Sequence, residues 1–278
     1  MPLSRGAAAI EGLEEVWGSL LALGAALTAA QFEVATDCPG WSVKDQFSHV
    51  IGTELMLEGA VAPDGDAPRP FYVRNDLGEL NERFVEARRA LPGRQVVDEL
   101  AVLAQHRLVA LRSLDEEAWA AIGPSPIGMV PYVDYMGVRT FDSWVHEQDV
   151  RVALDLPGGR GGSGERVTLD RMEASMPYVL GRRVQPPPGT TLRMDIDGSL
   201  GRTVQLCVGL SDDGAAWARA IPVIEGAPTA SLWMDEATFV RRACGRIPAT
   251  TVLASSRFAA AGDTSLAEQF VEQMVVMI

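Results

Sequence analysis

The chain has 278 residues, of which 47% are hydrophobic, and its 37 acidic and 24 basic residues give a net charge of −13. This length accommodates one large domain or two domains of ordinary size, with ample apolar content for a packed core. The acidic balance disfavours binding to nucleic acid or to anionic membranes, because both need a concentrated basic surface. The sequence therefore indicates a globular protein that binds neither of them.

The three cysteines, Cys38, Cys207 and Cys244, are widely separated and form neither a disulfide framework nor a Cys-x-x-Cys motif. We expect them to be small buried hydrophobic residues in a reducing cytoplasm. The uncharged residues 16–32 are fewer than the about 20 that a membrane span requires. Acidic residues precede this stretch where a signal peptide has positive charge, so we assign it to a buried helix.

Helical periodicity dominates the first half of the chain. Ser42, with Asp45 three residues later, has the pattern of a capping box at the start of one helix. The predicted helices are residues 6–32, 42–61, 75–91 and 95–114, followed by the stretch 139–153. Residues 120–131, rich in proline and glycine, are expected to connect the last two. Four or five antiparallel helices with short connections predict an up-and-down bundle, whose interior commonly holds metal sites.

A glycine-rich segment, residues 158–164, has the composition of a flexible linker. After it, the alternating pattern of β-strands appears. The predicted strands are residues 190–196, 202–210, 230–234 and 250–258, and the predicted helices are 236–244 and 264–278. We therefore predict two domains: a helical bundle over residues 1–157 and a smaller α+β domain over residues 165–278.

The stretch 139–153 contains the strongest candidate site. In a helix, Asp142, His146 and Asp149 lie within an arc of roughly 60°, beside an apolar stripe that faces the core. Two carboxylates and an imidazole are costly to bury unless they are paired. Asp142 and His146 are four residues apart, one helical turn, which suits a divalent metal. The alternative is a partly exposed helix whose Asp149 pairs with a nearby arginine.

The other two histidines are less informative by pattern alone. His49 lies in the helix 42–61, on a face of small and polar residues, whereas apolar residues flank His106 and favour a core or groove position. The sequence contains no Gly-x-Ser-x-Gly motif, no phosphate-binding loop and no His-Glu-x-x-His motif.

Two stretches together resemble the signatures of the DinB-like, mycothiol-dependent maleylpyruvate isomerase family. In residues 38–50, a Trp-Ser-Val-x-Asp run precedes His49. In residues 139–153, an acidic residue lies four positions before a histidine, and an aspartate follows three positions after it. Residues 230–236 and the later Gly245-Arg246 pair resemble the family's sterol-carrier-like C-terminal domain. The resemblance implies an α+β chain in which a four-helix DinB-like bundle precedes that smaller domain.

The resemblance also implies site residues and cofactors. It assigns His49, Asp142 and His146 as ligands of one divalent metal, expected to be zinc, with a position left open for the thiol of mycothiol. The family's acidic ligand is a glutamate, so Asp142 is shorter by one methylene. Asp149 is expected to accept a hydrogen bond or a proton beside the metal. Arg246 is the candidate for binding an anionic group of the substrate.

Three functional hypotheses follow. The first is a metal- and mycothiol-dependent isomerase or S-transferase that acts on a small electrophile. The second is a metal-dependent hydrolase on the same bundle, which uses bound water in place of the thiol. The third is a binding or stress-response protein without catalytic activity. Because one fold supports many functions, the fold alone does not decide among them.

Overall fold

A computed structural model describes residues 4–64, 69–210 and 216–277. The chain divides into two compact units between Thr168 and Leu169. The first unit is helical apart from a short hairpin, and the second combines a sheet with helices. Among the described residues, no helix combines the length and the apolar character needed to cross a membrane.

The first unit contains the predicted helices with some changes of boundary. Its elements are α1 (Arg5–Ala26), α2 (Ala29–Phe32), α3 (Val43–Leu57), α4 (Asp76–Arg89), α5 (Gly93–Arg112), α6 (Glu116–Ala120), β1 (Ile122–Ser125), β2 (Gly128–Pro131) and α7 (Tyr132–Ala153). The predicted helix 6–32 is interrupted because Thr28 caps a separate short helix. The predicted connection 120–131 contains the antiparallel hairpin β1–β2.

Four helices form the bundle that positions the candidate site. Helix α1 packs against α5 and α7, and α3 packs against the same two helices, while α4 lies on the outside of α3. Helices α3 and α7 run antiparallel, since Gln46 contacts His146 at one end and Glu54 contacts Arg139 at the other. The predicted capping box of Ser42 and Asp45 is confirmed at the start of α3.

The apolar core of the bundle draws on all four helices. Its largest fully buried side chains include Trp17, Phe47, Leu100 and Met136. Burial of such side chains is the main stabilising contribution, at about 1.5–3 kcal/mol for each side chain. This free energy also offsets the cost of burying polar groups at one place along α3 and α7.

The predicted linker is packed against the bundle. The carbonyl of Gly159 accepts a hydrogen bond from Trp144 Nε1 (2.8 Å), and Ser163 N donates to Glu15 Oε2 (2.9 Å). Residues 158–164 therefore belong to the first unit, and the units divide four residues further on. The chain enters the second unit within helix α8 (Ser163–Tyr178), which the sequence pattern did not reveal. That residues 1–157 and 165–278 are separate domains stays a prediction.

The second unit is an α+β structure, as predicted. After α8 and a π-helical turn (Val179–Val184) come β3 (Thr191–Asp197), β4 (Arg202–Leu210), β5 (Ala216–Ala220), β6 (Ala230–Asp235), α9 (Glu236–Ala243), α10 (Ala249–Leu253), β7 (Phe258–Gly262) and α11 (Thr264–Gln273). The strand order is β5-β4-β3-β6-β7, and only β3 and β6 are parallel. One sheet face is buried, through alternate residues such as Leu192, Met194 and Leu232.

Two predictions at the end of the chain need correction. The predicted strand 250–258 is wrong, because residues 249–253 form α10 and the strand runs from Phe258 to Gly262. The β-branched residues there favour a strand locally, but the helix buries Val252 completely, so packing overrides propensity. The predicted helix 264–278 ends at Gln273, and residue 278 lies outside the described part of the chain.

Candidate metal centre

Three predicted ligands come together inside the bundle. His49 on α3 and Asp142 and His146 on α7 each offer one ligand atom, and these atoms lie within 4.8 Å of one another. The distance from His49 Nε2 to Asp142 Oδ2 is 3.2 Å, and His146 Nε2 lies 3.6 Å from Asp142 Oδ1. Both imidazoles are buried, whereas the Asp142 side chain is 17% exposed.

This part of α7 is mostly buried, although Asp142 is half-buried and Val152 is exposed. Residues 143–150 of α7 are all buried, including Asp149. The two carboxylates and the imidazole of the predicted cluster therefore need partners within the protein.

A glutamine orients one of the two imidazoles. His146 Nδ1 lies 2.6 Å from Gln46 Oε1 and 3.4 Å from Asp149 Oδ2. Since an amide oxygen only accepts, Nδ1 carries the proton and Nε2 turns towards Asp142 and His49. Metal-binding histidines commonly have such a partner on the second nitrogen. Sequence analysis missed Gln46, although it lies three residues before His49 on the same helix.

A buried ionic network holds the acidic ligand. Arg139 donates from Nη1 to Asp142 Oδ2 (2.6 Å) and from Nε to Glu54 Oε1 (2.8 Å). Arg107 Nε donates to the other oxygen of Glu54 at 2.9 Å. Burial alone would raise the pKa of Asp142, but Arg139 and the two histidines outweigh burial and hold this pKa well below its usual range. Asp142 is therefore ionised, the form in which a carboxylate can bind a metal.

The two histidines have different electrostatic surroundings. Burial lowers the pKa of His49 to about 4, and the nearby Asp142 carboxylate only partly opposes this effect. Burial also disfavours charge on His146, but the carboxylates of Asp142 and Asp149 raise its pKa above the usual value. His49 is thus neutral at pH 7, the form in which imidazole binds metals.

The donor set fits a divalent metal. Two imidazole nitrogens and one carboxylate oxygen are ligands that zinc accepts, and three protein ligands leave a position open, as in catalytic sites. The mobility of the ligands is limited, because Gln46 holds His146 and Arg139 holds Asp142.

Trp41 forms one wall of the centre. Its ring centroid lies 5.0 Å from that of His49 and 5.8 Å from that of His146. The indole Nε1 donates to Glu82 Oε2 at 2.8 Å, which fixes the ring between α3 and α4. The Trp-Ser-Val-x-Asp run of the sequence thus supplies both a helix cap and this aromatic wall.

The remaining predicted residues lie elsewhere or have other partners. Arg246 belongs to the second unit, where its Nη1 donates to the carbonyl of Cys244 (3.1 Å). His106 lies outside the cluster, but its predicted core or groove position is wrong: the side chain is 67% exposed and pairs with Glu58. The prediction of buried cysteines is confirmed for Cys244, whereas Cys38 and Cys207 are half-buried.

The fold and the cluster define a class of protein: a helical bundle whose interior brings together two histidines and one carboxylate able to hold a metal, followed by an α+β unit. The family described as "Mycothiol maleylpyruvate isomerase N-terminal domain" matches residues 13–151. The chain belongs to this family of enzymes.

Solved structures support the same fold. A crystal structure of the mycothiol-dependent maleylpyruvate isomerase is 17% identical in sequence, with 92% of this chain and 91% of that chain covered and a TM-score of 0.55. A histidine-to-alanine mutant of a mycothiol-dependent maleylpyruvate isomerase is 18% identical, with 87% and 88% covered and a TM-score of 0.51. No curated protein matches the sequence.

Proposed function

We propose that this protein is a metal- and mycothiol-dependent isomerase or S-transferase that acts on a small electrophilic substrate. The observation that carries the proposal is the buried cluster of His49, Asp142 and His146, whose ligand atoms lie within 4.8 Å of one another. Membership of the family supports the use of mycothiol as the thiol, because the description of the family names mycothiol together with maleylpyruvate isomerase.

We further propose zinc as the metal. Zinc bound at these three residues would lower the pKa of a thiol and supply a thiolate at neutral pH. The sulfur of that thiolate would attack an electrophilic carbon of the substrate. In an isomerisation, the carbon–sulfur bond would form as the π electrons of a conjugated double bond move onto its electron-withdrawing group. The single bond left behind would rotate, and return of that electron pair would restore the double bond and expel the thiolate.

The chain's own residues would orient the reactants and move the proton. Gln46 and Arg139 keep His146 and Asp142 in place, as their bonds of 2.6 Å indicate. Asp149, with Oδ2 3.4 Å from His146 Nδ1, is proposed to accept a hydrogen bond or a proton beside the centre. Arg246 is proposed to bind an anionic group of the substrate, because guanidinium groups pair with carboxylates in bidentate fashion. A reducing cytoplasm is the proposed location.

The test combines metal analysis with thiol binding. Purified protein should contain one divalent ion per chain by elemental mass spectrometry, and native mass spectrometry should detect added mycothiol bound to it. A panel of small electrophiles should then show thiol-dependent turnover. Metal without thiol binding would favour the hydrolase, and neither metal nor thiol would favour a binding protein.

A pair of histidine variants locates the metal. His146→Ala should lose the ion, because it removes one of three ligands. His106→Ala is the matched control and should retain the ion, since His106 is exposed and paired with Glu58. Full metal occupancy in His146→Ala would contradict the assignment.

A further inference from the structure

A pocket of about 360 Å³ lies in the first unit, next to the candidate metal centre. Its lining includes Glu33, Ala35, Trp41, Lys44, Asp45 and Arg89. Trp41 is common to both places, because it lines the pocket and its ring also contacts the two histidines of the centre. The volume is at the lower end of the about 300–1,000 Å³ typical of small-molecule sites. A molecule in this pocket would therefore contact Trp41, the residue whose ring also contacts His49 and His146.

The charges that line the pocket balance. Lys44 Nζ pairs with Glu33 Oε1 at 2.8 Å, and Arg89 lies near Asp45, with Nε 3.7 Å from Oδ1. The lining thus has two cations and two carboxylates, so it attracts neither a strong anion nor a strong cation. A neutral polar ligand suits this arrangement best.

One buried acceptor in the pocket lacks a hydrogen bond. Asp45 Oδ2 accepts from the backbone of Ser42 in the capping box, but Oδ1 is buried and has no hydrogen-bond donor among the described residues. The 3.7 Å contact with Arg89 is too long for a hydrogen bond. Buried carboxylate oxygens are normally satisfied, so this oxygen is available to a hydroxyl donor of a ligand.

The aromatic wall of the pocket is held rigidly. Glu82 accepts from Trp41 Nε1 (2.8 Å) and from the hydroxyl of Tyr72 (2.8 Å), and it also pairs with Arg89 (2.7 Å). An indole ring offers an apolar face on which the apolar face of a sugar or cyclitol ring packs. Trp41 and Asp45 together therefore supply a stacking surface and a hydroxyl acceptor.

We propose that this pocket binds the neutral, polyhydroxylated ring portion of the thiol cofactor, while its sulfur reaches the neighbouring metal centre. This inference rests on the proposed function, in which the thiol is mycothiol, the conjugate of N-acetylcysteine with glucosaminyl-inositol. One ring stacks on Trp41, and a ring hydroxyl donates to Asp45 Oδ1. The pocket thus selects a thiol by its sugar-like part, and smaller thiols gain nothing from it.

Calorimetry on the metal-loaded, full-length protein tests the inference with three probes. These are mycothiol, N-acetylcysteine as its neutral amide, which has the thiol without the rings, and glucosaminyl-inositol with its amine acetylated, which has the neutral rings without sulfur. Mycothiol should bind at least ten-fold more tightly than N-acetylcysteine, and glucosaminyl-inositol should bind by itself and compete with mycothiol.

Two variants address the pocket independently. Ala35→Phe fills it from an exposed position, and Asp45→Asn replaces the unsatisfied acceptor. Each variant should lower the affinity for mycothiol and for glucosaminyl-inositol about ten-fold or more. The affinity for N-acetylcysteine and the metal content should not change. Ala60→Phe, which adds the same ring at another exposed alanine, is the matched control and should change none of these.

The outcomes separate the pocket from the proposed function. If glucosaminyl-inositol binds the wild-type protein and loses affinity in Ala35→Phe, the pocket is established even if neither thiol binds, a result that would defeat the proposed function alone. The pocket inference is overturned if glucosaminyl-inositol does not bind. It is also overturned if Ala35→Phe lowers the affinities for mycothiol and N-acetylcysteine equally. Thiol-dependent activity in that case would leave the proposed function intact.

Discussion

Replacing Gln46 with leucine should weaken metal binding without removing a ligand. Gln46 is fully buried, and its Oε1 accepts the hydrogen bond that orients His146, at 2.6 Å from Nδ1. Leucine has a similar size but no acceptor, so the imidazole loses the partner that directs Nε2 to the metal. Loss of such a partner typically lowers metal affinity by about 10–100-fold, which corresponds to about 1.4–2.7 kcal/mol.

The structure indicates that little would compensate for the lost acceptor. Asp149 Oδ2, at 3.4 Å, lies beyond the usual range of an N–H···O hydrogen bond, so it replaces Gln46 only after a movement. Gln46→Leu also removes the bond from Nε2 to Thr36 Oγ1 (2.8 Å). Buried groups left unsatisfied cost about 1–3 kcal/mol each, so the metal-free protein should also be less stable.

Two measurements separate these effects. Competition with a chelator of known affinity gives the metal dissociation constant, and urea unfolding of the metal-free protein gives the change in stability. Gln148→Leu is the matched control, because Gln148 is also buried but, within the described part of the chain, its Nε2 has only one long hydrogen bond, to the carbonyl of Gly159 at 3.5 Å. Equal metal affinity in Gln46→Leu and the control would refute the role of Gln46 in orienting His146.

Two further variants test the surroundings of the centre. Asp149→Asn should melt near the wild-type temperature and retain metal at saturating zinc, but its thiol-dependent turnover should fall about ten-fold or more. Unchanged turnover and zinc affinity would mean that Asp149 has only a structural role. Glu54→Gln should lower the free energy of unfolding by about 3–5 kcal/mol, because it leaves Arg107 and Arg139 buried without their shared carboxylate. The control Glu58→Gln should cost at most about 1 kcal/mol in the same urea titration, and equal losses in both variants would contradict this reasoning.

Elements whose signals are local could be predicted from the sequence. The start of α3 is specified by Ser42 and Asp45 within a single turn, and the structure has the capping box at that place. Helix α10 and the hairpin β1–β2 depend instead on packing against other elements. For this reason, the β-branched residues before Val252 indicated a strand, although the residue is buried in a helix.

The candidate site was predictable only in part for the same reason. Asp142 and His146 lie one turn apart on a single helix, so their proximity follows from helical geometry. His49 comes from another helix, and only the family resemblance connected it with the pair. Gln46 and Glu54 approach α7 from α3, and no periodicity along the sequence states which polar residues meet across a helix interface.

The charges around the proposed centre would favour a thiolate as a further ligand of a metal held there. Asp142 and Glu54 are balanced by Arg139 and Arg107, so the charges of these four groups cancel before any metal binds. A divalent ion bound at His49, Asp142 and His146 would therefore introduce two positive charges beside two buried imidazoles. Because uncompensated buried charge is costly, an anionic ligand at the open position is favoured over a neutral one. A thiolate is such a ligand, and its negative charge would lower the cost of holding a metal at this place.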